Sequence, residues 1–464
     1  MSKDTKKCSN STRRFAANLE KARKRLEERP LAFEDALSRE LIGQAIEDSG
    51  LEFRERKLPP WLTLWAFIGQ MLDGYAGCGS AVTQIVSWYV SQGKEPCVPD
   101  TGHYCEARQR LSIEFLRILL ALQYQAAMKD APGQWKWLGT HDVKVVDGTT
   151  FTMWDSETNR EAFPPPEEPS PGTRYPMMRA VVLFSLTLGL LKDFAYGPYE
   201  GKGTGESSLF RQLFDCIDPG DIVLGDKYYC SYRDVHQIVA RGAHVVVKHF
   251  SSRTNMELVK KLGKNDGIYR WKRPRWAHRK MSQEDYAQLP EEILVRIVKV
   301  SVAQPGFRVK HFEVVTTLLD ADIYTPEAIA ELFFWRWRAE LYLDDIKTSM
   351  GMEMLRCKSP EMIAKELCTA FLAYNTVRIQ MAQAAECLEI PLHEISFMRT
   401  MDALNAFHHA GDSIEALAVK LATIVHQRVG HRGGRSEPRA VKRGSKPYDR
   451  LKQGRPEFTK NVET

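Results

Sequence analysis

The sequence predicts an α/β protein with a mixed sheet, and three observations carry that reading. Between residues 143 and 250, strand-like apolar runs come first and then alternate with helical ones. Residues 251–320 break the alternation and are strand-rich. A long apolar run then follows, FFWRWRAELYLDDIK from Phe333 to Lys347, and it carries charged residues inside it.

Gross composition bounds the answer. At 464 residues the chain is long enough for two or three cores, and 43% hydrophobic with 27% charged content is ordinary for a globular protein. The longest apolar run, residues 180–191, falls short of the ~20 residues that cross a bilayer. The polar, basic N-terminus lacks the apolar centre of a signal peptide. Nine cysteines without a C-x-x-C pair indicate neither a disulfide framework nor a zinc ribbon. Residues 1–30 carry ten Lys/Arg against four acids and residues 428–464 eleven against four, so a net charge of +6 leaves the body at −7. Basic ends on an acidic body suit a polyanion gripped by mobile segments, and equally well tails that serve only as solubilising disorder.

In chain order, residues 1–30 read as a basic, partly helical leader. Residues 31–135 read as an all-α domain, with LTLWAFIGQML and RLSIEFLRILLALQYQAAMK its clearest amphipathic runs. VPDTGHYCEARQRLS joins two of those helices, either presenting Arg108 and Arg110 to DNA or serving as a plain loop. Residues 136–250 hold the first part of the α/β core. There VKVVDGTTFTMW is a strand ending in a Gly turn, and AVVLFSLTLGLLKDFAYG is a hairpin. TGESSLFRQLFDCI and SYRDVHQIVARG are helices around the strands DIVLGDKYY and AHVVVKHF. Residues 251–320 form a β-rich insertion. Residues 321–360 carry the charged apolar helix, which Thr325 can cap and Pro326 can begin. C-terminal helices span 361–427, and a Gly-, Pro- and Lys/Arg-rich extended tail closes the chain at 428–464.

The carboxylates carry the chemistry. On a continuous helix, Arg336, Glu340, Lys347 and Phe333 fall within about 60° of one another. Phe334, Trp337 and Leu341 flank this line on one side, and Trp335, Ala339, Leu343 and Ile346 on the other. That pattern predicts a mostly buried helix with one thin charged seam facing something that compensates it. Asp147 and Asp226 each end an apolar strand, on the edge where an α/β sheet places ligands. Three carboxylates from two strands and a helix suit Mg²⁺, and two such ions can drive an in-line phosphoryl displacement. Arg336 and Lys347 then hold DNA phosphates. The bland alternative is that Arg336 and Glu340 form only an i,i+4 ion pair.

These residues resemble the insertion-sequence-four family of bacterial DDE transposases, whose third acid sits in a motif written Y-(2)-R-(3)-E-(6)-K. Phe333, Arg336, Glu340 and Lys347 match that spacing, with phenylalanine in the tyrosine place. DGTTFTMWDSETNREAFP resembles the family's first-Asp segment and GDIVLGDKYYCSY its second, with Lys227 where arginine is usual. LRCKSPEMIAKEL and EPRAVKR are also similar to family segments, and the resemblance spans roughly residues 40–450. It implies a ribonuclease H-like catalytic core split by the β-insertion, for which the separation of 114 positions from Asp226 to Glu340 leaves room. It also implies a Mg²⁺-dependent DNA transposase using two ions (Mn²⁺ able to substitute). Asp147, Asp226 and Glu340 are then catalytic metal ligands, and Arg336, Lys347, Phe333 and Lys227 contact DNA. The implied partners are double-stranded transposon ends and target, bound by a homodimer in the bacterial cytoplasm at the nucleoid, with no membrane. The competing readings are a nuclease of the same fold that cuts without joining, and a domesticated DNA-binding protein that has lost the chemistry.

Overall fold

In a computed structural model of the chain, the residues described are 3–28, 37–54, 56–74, 77–166, 174–250, 255–275, 281–301, 311–407, 413–426 and 428–429. Nearly all of the basic C-terminal tail lies outside them.

Six helices come first: α1 (Lys3–Glu28), α2 (Arg39–Asp48), α3 (Pro60–Leu72), α4 (Cys78–Ser91), α5 (Thr101–Arg110) and α6 (Ile113–Lys129). The core follows as β1 (Val143–Met153), α7 (Glu157–Ala162), β2 (Met177–Ser185), β3 (Leu191–Pro198), α8 (Glu206–Arg211), β4 (Ile222–Gly225), α9 (Tyr232–Ala240) and β5 (His244–Lys248). Next come β6 (Met256–Gly263), β7 (Asp266–Lys272), α10 (Gln283–Ala287), β8 (Glu292–Ser301) and β9 (His311–Thr316). The chain continues through α11 (Pro326–Phe334), α12 (Trp337–Asp344), β10 (Met354–Leu355), α13 (Pro360–Leu388), α14 (Phe397–Phe407) and α15 (Ile414–His426).

The described strands form one mixed sheet in the order β3-β2-β1-β4-β5-β9-β8-β7-β6, with β10 added beside β1. Strands β1, β2 and β3 run antiparallel, whereas β4 lies parallel to both β1 and β5. The strands of 251–320 extend this sheet, because β9 pairs antiparallel with β5 through Val246–Thr316. One face of the sheet packs on α6, α11, α12 and α13, and the other on α8 and α9. Helix α13 runs through the first core, with Phe371, Leu372 and Tyr374 fully buried.

Two early expectations need correcting. The basic leader does not reach out: α1 packs on α15, Ala22 is buried, and Arg23 and Arg25 pair with Glu415 and Glu386 at 2.7 and 2.9 Å. A helix with an apolar stripe buries it where it can, and its charges follow. The VPDTGHYCEARQRLS segment contains helix α5, capped by Asp100, and Arg108 turns inward. Its guanidinium lies over the Phe67 and Tyr104 rings at 4.8 and 5.1 Å, so only Arg110 remains exposed there. No helix among the described residues is long and apolar enough to cross a membrane.

Candidate active site

The site begins with a gap along one edge of β1. Val143, Lys144 and Val145 pair parallel with Ile222, Val223 and Leu224, and β4 then stops at Gly225. Continuing that register by two residues sets Asp226 beside Asp147. Further along the same edge, β10 pairs only Thr152 and Met153. Between those pairings the edge has no strand partner among the described residues. A sheet edge interrupted between two parallel neighbours is where an α/β fold offers a ligand site.

Asp147 therefore does not end a strand at a Gly turn. It lies within the 11-residue β1, opposite Val182 of β2, and the strand that ends here is β4. Asp226 begins a short 3₁₀ turn, and its Oδ1 accepts from the Lys227 N–H at 2.8 Å. Because of that turn, strand alternation fails for the two tyrosines that follow. Tyr228 is 59% exposed beneath the Lys227 ammonium, while Tyr229 turns into the core beside Phe210.

Opposite the gap stands the charged segment. Thr325 caps α11 by accepting from Ala328 N–H at 3.2 Å, with Pro326 in the first turn. The helix then tightens at Trp335–Arg336, where the backbone stays right-handed helical with i→i+3 hydrogen bonds, continues as α12, and widens into a π turn at Asp345–Ser349. The expected single helix is thus one helical run with a tight turn and a wide turn, and the wide turn shifts Lys347 from its ideal position. Lys347 Nζ reaches β1, donating to the Thr150 carbonyl at 3.0 Å. Burial lowers its pKa from the usual lysine range.

The flanks of the segment also differ from expectation. Ala339, Leu343 and Ile346 are buried, but Phe334, Trp337 and Leu341 are about half exposed. The Phe333 ring, 8% exposed, packs on Phe312 of β9 with ring centres 5.1 Å apart, a packing position rather than a DNA-facing one. Arg336 Nη2 stands 3.4 Å from Glu340 Oε1, so the i,i+4 pair is formed, and Glu340 remains 47% exposed.

Asp147 feels two of these groups, Arg336 and Glu340. Its carboxyl is pushed up to about 6, chiefly by burial; the Gly148 N–H and Arg336 oppose this, while Glu340 and Glu206 add repulsion. Glu206, in the first turn of α8, was missed from sequence, as was Tyr229. The folded sheet brings Glu206 to Gly148, where a Cβ would meet the Glu206 carboxyl carbon at 2.8 Å. Among the described residues no three His, Cys, Asp or Glu side chains are gathered closely enough to cage a metal ion. The donor set still fits a hard divalent cation, since its oxygens are carboxylates whose mutual repulsion a cation would relieve.

Comparison with known proteins identifies the family. A family model described as the transposase DDE domain matches residues 138–376, a span that contains Asp147, Asp226, Arg336, Glu340 and Lys347. Transposase InsG for insertion sequence element IS4, from Escherichia coli (strain K12), is 28% identical over 362 residues, covering 76% of this chain and 77% of that protein. A cryo-EM structure of the piggyBac transposase synaptic complex with hairpin DNA aligns with 81% of this chain and 78% of its own, at 9% identity and a TM-score of 0.42.

Proposed function

The chain belongs to the DDE transposase family and is a DNA transposase of the IS4 kind; from that premise we propose that Asp147, Asp226 and Glu340 are its three catalytic acids. The observation that carries this assignment is the gap in β1, where Asp147 meets the register position of Asp226 and feels the charges of Arg336 and Glu340. The three carboxylates would hold two Mg²⁺ ions, with Mn²⁺ able to substitute. Bound there, the ions would activate a water or 3′-hydroxyl and stabilise the leaving oxygen of an in-line displacement at a DNA phosphate.

The chain's own groups do the rest. Asp147 lies on a strand held on its other edge by β2, which fixes the backbone that carries its carboxylate. Arg336 neutralises Glu340 in the absence of ligand and can swing its fork to a phosphate when DNA arrives. Lys347, tethered to Thr150, offers the charge of an ammonium with donors to spare. Lys227 lies beside Asp226 and is the remaining group for a phosphate. The substrates would be double-stranded transposon ends and target DNA, brought together by a homodimer.

Replacing Asp147 or Asp226 with Asn, or Glu340 with Gln, tests the assignment in a Mg²⁺-dependent cleavage assay on transposon-end duplex. Each variant should bind DNA like the parent and cut nothing. Retained cleavage by any of the three removes that residue from the triad.

A further inference from the structure

We propose that Glu206 is a fourth acidic residue of this site, reaching the divalent cation through the space that Gly148 leaves in β1, with Tyr229 as its positioning residue. The inference rests on the three-acid reading above and adds to it a residue from the opposite face of the sheet.

The geometry starts at Gly148. This glycine is not among those with positive φ, so its missing side chain is not needed for backbone freedom. It is needed for room. A Cβ at this position would lie 2.8, 2.9 and 3.0 Å from Cδ, Oε1 and Cγ of Glu206. The neighbouring residue is Asp147, whose carboxyl Glu206 already perturbs by repulsion. Glu206 thus lies against β1 directly beside the first acid, on the face that its own helix covers.

An acid in the first turn of a helix has a plain structural explanation, since it complements the helix end. Tyr229 argues against that explanation being sufficient. Its side chain is 2% exposed, and its hydroxyl is buried without a well-formed hydrogen bond, Glu206 being the acceptor nearest to making one. The ring is fixed from two sides, edge-on to Phe210 at 5.2 Å and beneath Gly225, where a Cβ would meet Tyr229 Cδ2 at 3.1 Å. The charges acting most strongly on that hydroxyl are Glu206, then Asp147, then Asp226. A buried hydroxyl left without a well-made bond is costly, and one facing three carboxylates is a donor held in reserve. A cation drawn between Asp147 and Asp226 would attract Glu206 as well, and Tyr229 can then donate to the oxygen that the cation leaves free. Partners of this kind orient ligands and raise metal affinity.

The test titrates Mn²⁺ into the full chain, reading free Mn²⁺ by electron paramagnetic resonance and stabilisation by thermal melting, with no cleavage step required. Glu206→Gln should weaken Mn²⁺ binding about tenfold or more, and Glu206→Asp should fall between it and the parent. Tyr229→Phe should melt no lower than the parent without Mn²⁺, since its hydroxyl has no well-made bond to lose, yet bind Mn²⁺ more weakly. Parental Mn²⁺ affinity in Glu206→Gln overturns the proposal, whatever that variant's melting point. A Tyr229→Phe protein that loses stability without Mn²⁺ and keeps parental affinity overturns the positioning role. Asp147→Asn is the control: if it too binds Mn²⁺ like the parent, the three-acid reading fails first.

Discussion

Helix α13 and the α11–α12 segment lie against the same core, and both carry charged side chains among apolar ones. In α13 the buried ones are consumed. Lys365 donates to the Gln109 carbonyl at 2.8 Å and pairs with Glu361. Glu366 accepts from the backbone N–H groups of Arg356 and Cys357 at 2.7 and 2.8 Å. Asn375 both donates to and accepts from the Leu191 backbone, and Arg378 donates twice to the Leu188 carbonyl. In the other segment Arg336 has Glu340 at 3.4 Å, and Glu340 stays half exposed. Buried polar groups with matched partners specify packing, whereas groups left near solvent with a weak partner are free to bind something else. That difference separates the scaffold from the site.

The comparison breaks most visibly at Arg378. This side chain is buried, its Nη2 would lie 2.1 Å from a Cβ at Gly189, and it is the cation facing Asp345. Arg378→Met should lower stability by about 3–5 kcal/mol, because a carboxyl and a carbonyl lose their compensation together. Denaturant unfolding measures it, and a loss below about 1 kcal/mol would mean that α13 is not specified by its polar partners. Phe333→Ala should cost a similar amount, about 3–5 kcal/mol, by opening a cavity against Phe312. If Phe333→Ala unfolds like the parent but loses activity, the ring touches DNA and the packing account fails.

Glu366 sharpens the contrast through pH. Its carboxyl is fully buried, and burial pushes it up to about 8 despite the two N–H groups it accepts. Since that exceeds the unfolded value of about 4.3, the folded state binds more protons between the two. This group's contribution is therefore complete below about pH 4 and is lost as pH rises toward 8. Glu366→Gln should flatten the stability–pH curve across that window while lowering its overall level, since one N–H then faces an amide donor. An unchanged slope would show that Glu366 is ionised throughout.

Much of the scaffold was legible because its signals are local. The valines at 143, 145 and 146 and the run Val245–Val247, and the Thr325–Pro326 start of α11, each declare one element. The spacing of Arg336, Glu340 and Lys347 was legible as a motif, yet the helix that carries it departs twice from α geometry, tightening at Trp335–Arg336 and widening at Asp345–Ser349. Neither Gly nor Pro marks those turns, and the contacts on either side of them, Phe333 on Phe312 and Lys347 on Thr150, are long-range and carry no local signal. The gap at Asp147 was misread for a related reason. An Asp-Gly pair signals a turn locally, but β1 continues because β2 pairs with it through Thr152. Glu206 was invisible, since only the folded sheet brings it to Gly148.

The smallest effect expected is the most direct test of the contrast. The Arg336–Glu340 pair is an i,i+4 interaction with side chains 25% and 47% exposed, and such pairs contribute about 0.3–0.5 kcal/mol. In a double-mutant cycle with Arg336→Met and Glu340→Gln, the coupling energy for unfolding should stay under about 0.5 kcal/mol and shrink further in high salt. The same two substitutions should separate in function: Glu340→Gln stops cleavage, while Arg336→Met weakens DNA binding as well. Each phosphate that a cation neutralises adds about 0.9 to the slope of log K against log salt, so Arg336→Met should flatten that slope by about the same amount. A coupling above about 2 kcal/mol would put this pair in the same class as Arg378 and its partners. Arg336 would then be a scaffold residue, and the phosphate beside Glu340 would need another cation, with Lys347 the nearest one on the motif.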